Sequence, residues 1–157
     1  MDDETIRWKS EVSERYLEPL RSDGRKLRRM KAEIAEQRDM LSGLRGIDYT
    51  RPFVDVSAYG GAVHDAAARM VEMESAYEDA LANLDMRRAE ARACLDEMGG
   101  TEADLLRLYY VSALPWICVA EAMNLAEGTC KNMKRRALAV FFDYLPRSER
   151  PPEQHAV

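Results

Sequence analysis

A spacing of seven constrains this chain more than any other feature. Leu20, Leu27, Ile34 and Leu41 recur at that interval between Tyr16 and Leu44, with Met30 and Leu44 at the intervening positions. The pattern returns at Val63, Met70, Tyr77, Leu84, Ala91 and Met98. Ala66, Met73, Ala80 and Cys94 fill most of its second set, and Arg87 interrupts it. A period near 3.5 lays both sets along one stripe of an α-helix, which then needs another helix to cover it. Two such stretches predict two long helices over residues 16–98, packed as an antiparallel coiled-coil hairpin. Ordinary amphipathic helices in a bundle would satisfy the same spacing. Either arrangement is a scaffold or pairing surface rather than a place for chemistry. Gly46 to Gly61, with Pro52 and a glycine pair, reads as the loop that turns the second helix back. Pro19 and Gly24 weaken the start of the first helix. Residues 1–15, carrying Ile6, Trp8 and Val12, stand outside the repeat as a segment of their own that a short helix would suit.

Composition narrows the class. The chain is 46% hydrophobic and 32% charged, with eight Gly and six Pro, which fits a folded helical protein and not a disordered one. No apolar run reaches the length of a membrane span, and the polar start MDDETIRWKSE does not resemble a secretory leader. Cys94, Cys118 and Cys130 lie far apart inside apolar helical patterns, as buried thiols of a reducing cytoplasm would. His64 and His155 are the only histidines, so no metal-ligand spacing exists and no cofactor is expected. Asp79 and Asp85 sit on helix exteriors near arginines, and no phosphate loop or nucleophile motif is present, so an enzyme is not expected.

The C-terminal third has a different grain. Gly99-Gly100 ends the second long helix, and Thr101-Glu102-Ala103-Asp104 reads as an N-cap opening a helix through Leu105, Leu108, Tyr109 and Val111. Leu114-Pro115 breaks that helix and lets another begin. Residues 101–145 are therefore expected to form three short helices, and residues 146–157, PRSERPPEQHAV, a disordered tail. The fold class is all-α.

Two of these helices meet the demands of a helix-turn-helix. Trp116 to Met123 is the first, with Ala120 where the partner must approach closely and Val119 and Met123 facing the core. Asn124 occupies the position that needs a left-handed backbone, and Leu125 plugs the turn. The second helix starts near Glu127. At about 100° per residue, Cys130, Met133, Ala137, Val140, Phe141 and Tyr144 form its core side. The opposite side carries Gly128, Lys131, Asn132 and Arg135, which together with Glu127 are the candidate base-reading residues. Thr129 and Arg136 at one edge, and Lys134 at the other, are candidates for phosphate contact. The formal charge of −5 does not oppose this, because residues 1–100 carry all of it and residues 101–157 are neutral.

These residues resemble the promoter-binding region four of the bacterial sigma-70 family. The likeness is carried by Leu108-Tyr109-Tyr110, Val119-Ala120-Glu121, Thr129-Cys130-Lys131 and Arg136-Ala137-Leu138. Pro115, Asn124 and Ile117-Cys118 depart from the family pattern. With its heptad hairpin the whole chain is similar to small late-gene transcription regulators of phages and prophages. The resemblance implies sequence-specific binding of double-stranded DNA. It does not imply a sigma factor, because nothing here resembles the domain that melts promoter DNA. One surface helix binds DNA weakly on its own, so self-association through the coil or contact with RNA polymerase is expected. Two other readings stay open: a DNA-packaging subunit similar to a small terminase, which would form rings, and a coiled-coil adaptor that binds protein.

Overall fold

A computed structural model of the chain describes residues 2–45 and 56–152. It is all-helical, with no strand among the described residues. Five α-helices follow in order: α1 Asp3–Arg45, α2 Val56–Met98, α3 Gly100–Leu106, α4 Trp116–Met123 and α5 Glu127–Phe141. A π-helical turn, Arg107–Val111, extends α3, and two 3₁₀ turns, Phe142–Tyr144 and Arg147–Glu149, follow α5. Among the described residues no helix is long and apolar enough to cross a membrane.

The chain forms two compact units that divide the helices differently from the sequence repeat: Met1–Arg25 with Leu84–Val157, and Lys26–Asn83. In the second unit Leu27, Ile34 and Leu41 are buried along one stripe of α1, and the Arg38 guanidinium reaches Glu74 of α2 at 2.6 Å. Met70, Met73, Tyr77 and Ala80 on α2 are only half-buried. Met40 and Val71 are 58% and 64% exposed. Leu44 and Val63, assigned to the repeat, lie outside the residues whose side chains are described.

In the first unit α1 and α2 run antiparallel, since Tyr16 bonds Glu90 at 2.7 Å while Asp23, further along α1, pairs with Arg87, earlier on α2. Leu17, Leu20, Leu84, Ala91 and Leu95 fill the seam. Gly24 is buried beside it. A Cβ at this position would sit 2.8 Å from the Arg88 guanidinium and 3.4 Å from the Ala113 methyl. The segment before Pro19 also packs on the end of α5 and the 3₁₀ turn after it. Tyr16 stacks on Phe141 with centroids 6.2 Å apart, Trp8 lies 5.1 Å from Phe142, and Lys9 reaches Asp143 at 3.6 Å.

Several expectations change. Residues 1–15 are not a separate segment, because α1 runs unbroken from Asp3 through Pro19 and Gly24. An interior proline costs about 3 kcal/mol, and burial of Leu17 and Leu20 on either side of it offsets that local penalty. Asp2 opens the helix, its carboxylate accepting from the Thr5 N–H at 3.0 Å. A hydrogen bond from the Thr5 hydroxyl, and then that from its N–H, holds the Asp2 carboxyl below its ordinary range. The expected loop at 46–61 is shorter, since α2 begins at Val56 and takes in Gly60 and Gly61. Glycine weakens a helix without blocking it sterically, and Pro52 is the last residue before α2 that lacks an N–H. The rest of that loop lies outside the described residues.

Thr101 does not cap α3. Gly99 does, at φ 64° and ψ 177°, followed by Gly100 at φ 81°, so two left-handed glycines turn the chain between α2 and α3 in a single step. The expected tail is ordered as far as it is described: Arg150 folds back to donate to the Leu145 and Asp143 carbonyls at 3.0 and 2.6 Å. Residues 153–157 lie outside the described residues.

Candidate nucleic-acid interface

The exit from α3 sets the position of α4. Between Arg107 and Val111 the helix widens, with Ser112 N–H bonding Arg107 O at 2.9 Å and Leu114 N–H bonding Leu108 O at 3.2 Å. Widening of this kind releases a carbonyl from the ladder. Here the Arg21 guanidinium of α1 donates to the freed Tyr109 carbonyl and to that of Leu114, each at 2.7 Å. Its carbon also lies 3.9 Å from the centre of the Tyr109 ring, which stacks on Trp116 at 4.1 Å. Arg21 is buried and makes no ion pair among the described residues; two carbonyl dipoles and a ring face take the place of a carboxylate. Ala113, with φ 53°, then reverses the chain, and Pro115 provides the extended N-cap of α4.

The turn between α4 and α5 is a Schellman motif. Leu125 N–H bonds Ala120 O at 3.0 Å and Asn124 N–H bonds Glu121 O at 3.2 Å, with Asn124 left-handed at φ 55°, ψ 43°. Val119 and Ala120 are buried and Met123 half-buried, but Leu125 is 37% exposed and fills the turn only in part. α5 packs on both α3 and α4. Its buried residues are Cys130, Ala137, Leu138, Ala139 and Phe141. Val140, expected in the core, is exposed, and Leu138 and Ala139 take its place. A projection with one core face missed this because α1 covers α5 from a further side, through Tyr16 and Trp8.

Glu127, Gly128, Thr129, Lys131, Asn132, Arg135 and Arg136 are all exposed on α5. Ala126 is the N-cap and offers no side-chain acceptor, so the first N–H groups of α5 stay open beside Gly128 and Thr129. An open helix N-terminus attracts phosphate. Lys131 pairs with Glu127 one turn earlier at 3.1 Å, an exposed contact of little weight.

Two predicted residues are tied to α1, a pairing that no local pattern marks. Lys134 turns away from the exposed face toward Glu14 at 3.3 Å and lies 5.6 Å from the Tyr109 ring. Glu14 also accepts from the Tyr110 hydroxyl at 3.1 Å. Lys134 therefore bridges α5 and α1, and that pair must open before it reaches a phosphate. Burial, followed by the nearby Glu14 charge, pushes the Tyr110 phenol well above its ordinary range, so it stays a donor. Arg135 bonds the Asp3 carboxylate at 3.0 Å and the Asp3 carbonyl at 3.3 Å. The first turn of α1 thus meets the exposed face at Arg135 alone, in a pair that stays open to solvent. Among the described residues no group of His, Cys, Asp and Glu could hold a metal ion.

Comparison with protein-family models, with curated proteins and with solved structures found no match to this chain. The functional reading therefore rests on residue chemistry and on the geometry above.

Proposed function

We propose that the chain is a sequence-specific, double-stranded-DNA-binding transcriptional regulator of phage or prophage type. In this reading α3, α4 and α5 form a helix-turn-helix, and α1 with α2 an antiparallel coiled-coil hairpin that supports it. The observation that carries it is the junction of α4 and α5: a left-handed Asn124 followed by an uncapped helix presenting Gly128, Thr129, Lys131 and Asn132 to solvent. Gly128 allows close backbone approach, Lys131 suits guanine, and Asn132 can pair bidentately with adenine. Arg135 joins them once its exposed pair with Asp3 opens, and Arg136 and Thr129 reach phosphates.

One such helix supplies few contacts, so useful affinity requires paired half-sites or a protein partner such as RNA polymerase. The test is genomic-DNA capture with sequencing, run beside the Lys131→Ala/Asn132→Ala variant, together with the solution mass. Discrete sites enriched by the native chain and lost by the variant, with a dimeric mass, are expected. Equal enrichment by both proteins overturns the assignment of α5, and a ring of many copies favours DNA packaging instead.

A further inference from the structure

Glu127 stands where a surface that meets phosphates has least use for a carboxylate. It is the first residue of α5, exposed, next to Gly128 and one turn before Lys131. Brought against DNA, its charge opposes binding to every sequence alike. A first-turn carboxylate suits the helix dipole, but that role is indifferent to what lies opposite it.

Its partner gives it another role. Glu127 Oε1 lies 3.1 Å from Lys131 Nζ, and both side chains are about half exposed. The two ends therefore project together, a donor beside an acceptor. The ammonium has three donors, of which Glu127 takes one, and Glu127 keeps a second oxygen. Two donors and one acceptor remain for a ligand. In the major groove guanine shows two adjacent acceptors, N7 and O6, and the cytosine opposite shows its N4 donor next to O6. O6 and N4 share a Watson–Crick hydrogen bond, so they lie about 2.9 Å apart. That spacing is close to the 3.1 Å between Nζ and Oε1. Lys131 donating to N7 and O6 while Glu127 accepts from N4 leaves no group of the couple unused. An A·T pair has no two adjacent acceptors, so one ammonium donor loses its partner, and a methyl group closes the thymine end.

Gly128 gives the couple access. It lies about 100° from Glu127 and 60° from Lys131 around the helix. A Cβ there would meet nothing within 4 Å, so no packing asks for glycine, which weakens a helix. Without a side chain at this point the backbone can approach the groove closely enough for glutamate, shorter than Lys or Arg, to reach a base edge. We propose that Glu127 determines specificity, acting with Lys131 as a couple that reads both bases of a single G·C pair. This rests on the reading of α5 as a recognition helix. The couple is neutral as a whole, so it contributes discrimination, while salt-dependent affinity comes from cations such as Arg136.

The test is selection by the full chain from a random duplex library, then fluorescence anisotropy on the selected duplex and on one with A·T at the position read. The native chain should select a G·C pair and lose roughly 5- to 150-fold in affinity when it is replaced, the range of one good base contact. Glu127→Ala and Lys131→Ala should each relax that same position, and the double variant should relax it no further than the more damaging single one. Glu127→Ala should also bind random duplex about 1.5- to 5-fold more tightly. Its slope of log affinity against log salt should steepen by about 0.9, because the freed Lys131 neutralises one more phosphate. Glu127→Gln keeps the length of the side chain and should keep helicity by circular dichroism, yet admit adenine at that position. A preference untouched by both Glu127 variants but lost in Asn132→Ala overturns the couple and leaves the α5 reading standing. Relaxation of two different positions by Glu127→Ala and Lys131→Ala does the same. A native chain that selects no sequence overturns both.

Discussion

Replacing Arg21 with alanine should be among the most damaging single changes in the first unit. The guanidinium donates to the Tyr109 and Leu114 carbonyls and covers the Tyr109 ring, and it is buried. A hydrogen bond from a charged group contributes about 1.5–3 kcal/mol, and leaving its partner buried and unpaired costs on the order of 1–3 kcal/mol. A desolvated cation over a ring adds about 2 kcal/mol. These terms share one side chain and do not add, so Arg21→Ala should lose about 3–5 kcal/mol, the range for orphaning buried partners. A domain stable by about 5–15 kcal/mol would lose much of its margin. Arg21→Lys keeps the charge but loses the planar stack and the forked donors, and about half the loss is expected, on the order of 2 kcal/mol. The assay is equilibrium urea unfolding, with near-ultraviolet circular dichroism to follow the Tyr109–Trp116 stack, 4.1 Å apart. An Arg21→Ala loss below about 1 kcal/mol, the size of an ordinary exposed substitution, would refute the account of the π-helical exit.

Asp3→Asn should free Arg135 and tighten binding to random duplex DNA by about 1.5- to 5-fold, the equivalent of an exposed ion pair worth roughly 0.2–1 kcal/mol; weaker binding would show that the contact orders the helix instead. Asn124→Gly should leave thermal stability unchanged or slightly higher, whereas Asn124→Val should cost about 1–2 kcal/mol at a φ of 55°, and calorimetry would separate them. Burial, and then the partners Glu14 and Glu90, raises the Tyr110 and Tyr16 phenols above the range of free tyrosine. Their protonated forms are favoured in the folded state, so this contribution is complete below pH of about 10, where unfolded phenols titrate, and is lost as pH rises beyond it. Tyrosinate absorbance from these two should therefore appear only together with unfolding, and full ionisation in a folded chain would contradict their burial. The Cys94 thiol, raised chiefly by burial, should alkylate more slowly at mildly alkaline pH than a free thiol; an equal rate would count against that burial.

The seven-residue spacing reported the seam of α1 faithfully because burial there is continuous: Leu20, Leu27, Ile34 and Leu41 all lie inside. The turn at Asn124 was legible for a similar reason, since few residue types accept a left-handed backbone between two helices. What the sequence hid was contact between distant segments. Local propensity at Pro19 and Gly24 argued for a break, and nothing in Asp3 or Glu14 marks them as partners of Arg135 and Lys134, more than a hundred residues away. Thr101 had the chemistry of a cap, but the two glycines before it had already turned the chain.

The first compact unit is assembled from both ends of the described chain, with Lys26–Asn83 emerging between its halves. Translation must therefore produce the second unit before the first can close. At roughly 5–20 residues per second, Tyr16 and Trp8 wait on the order of ten seconds for Phe141 and Phe142 to leave the ribosome. Throughout that interval Trp8 and the apolar stripe beyond it are uncovered, and the nascent chain is most open to chaperones and to neighbours on the same message. A C-terminal fragment made without residues 3–25 would remain in that unfinished state, with Phe141 and Phe142 lacking Tyr16 and Trp8.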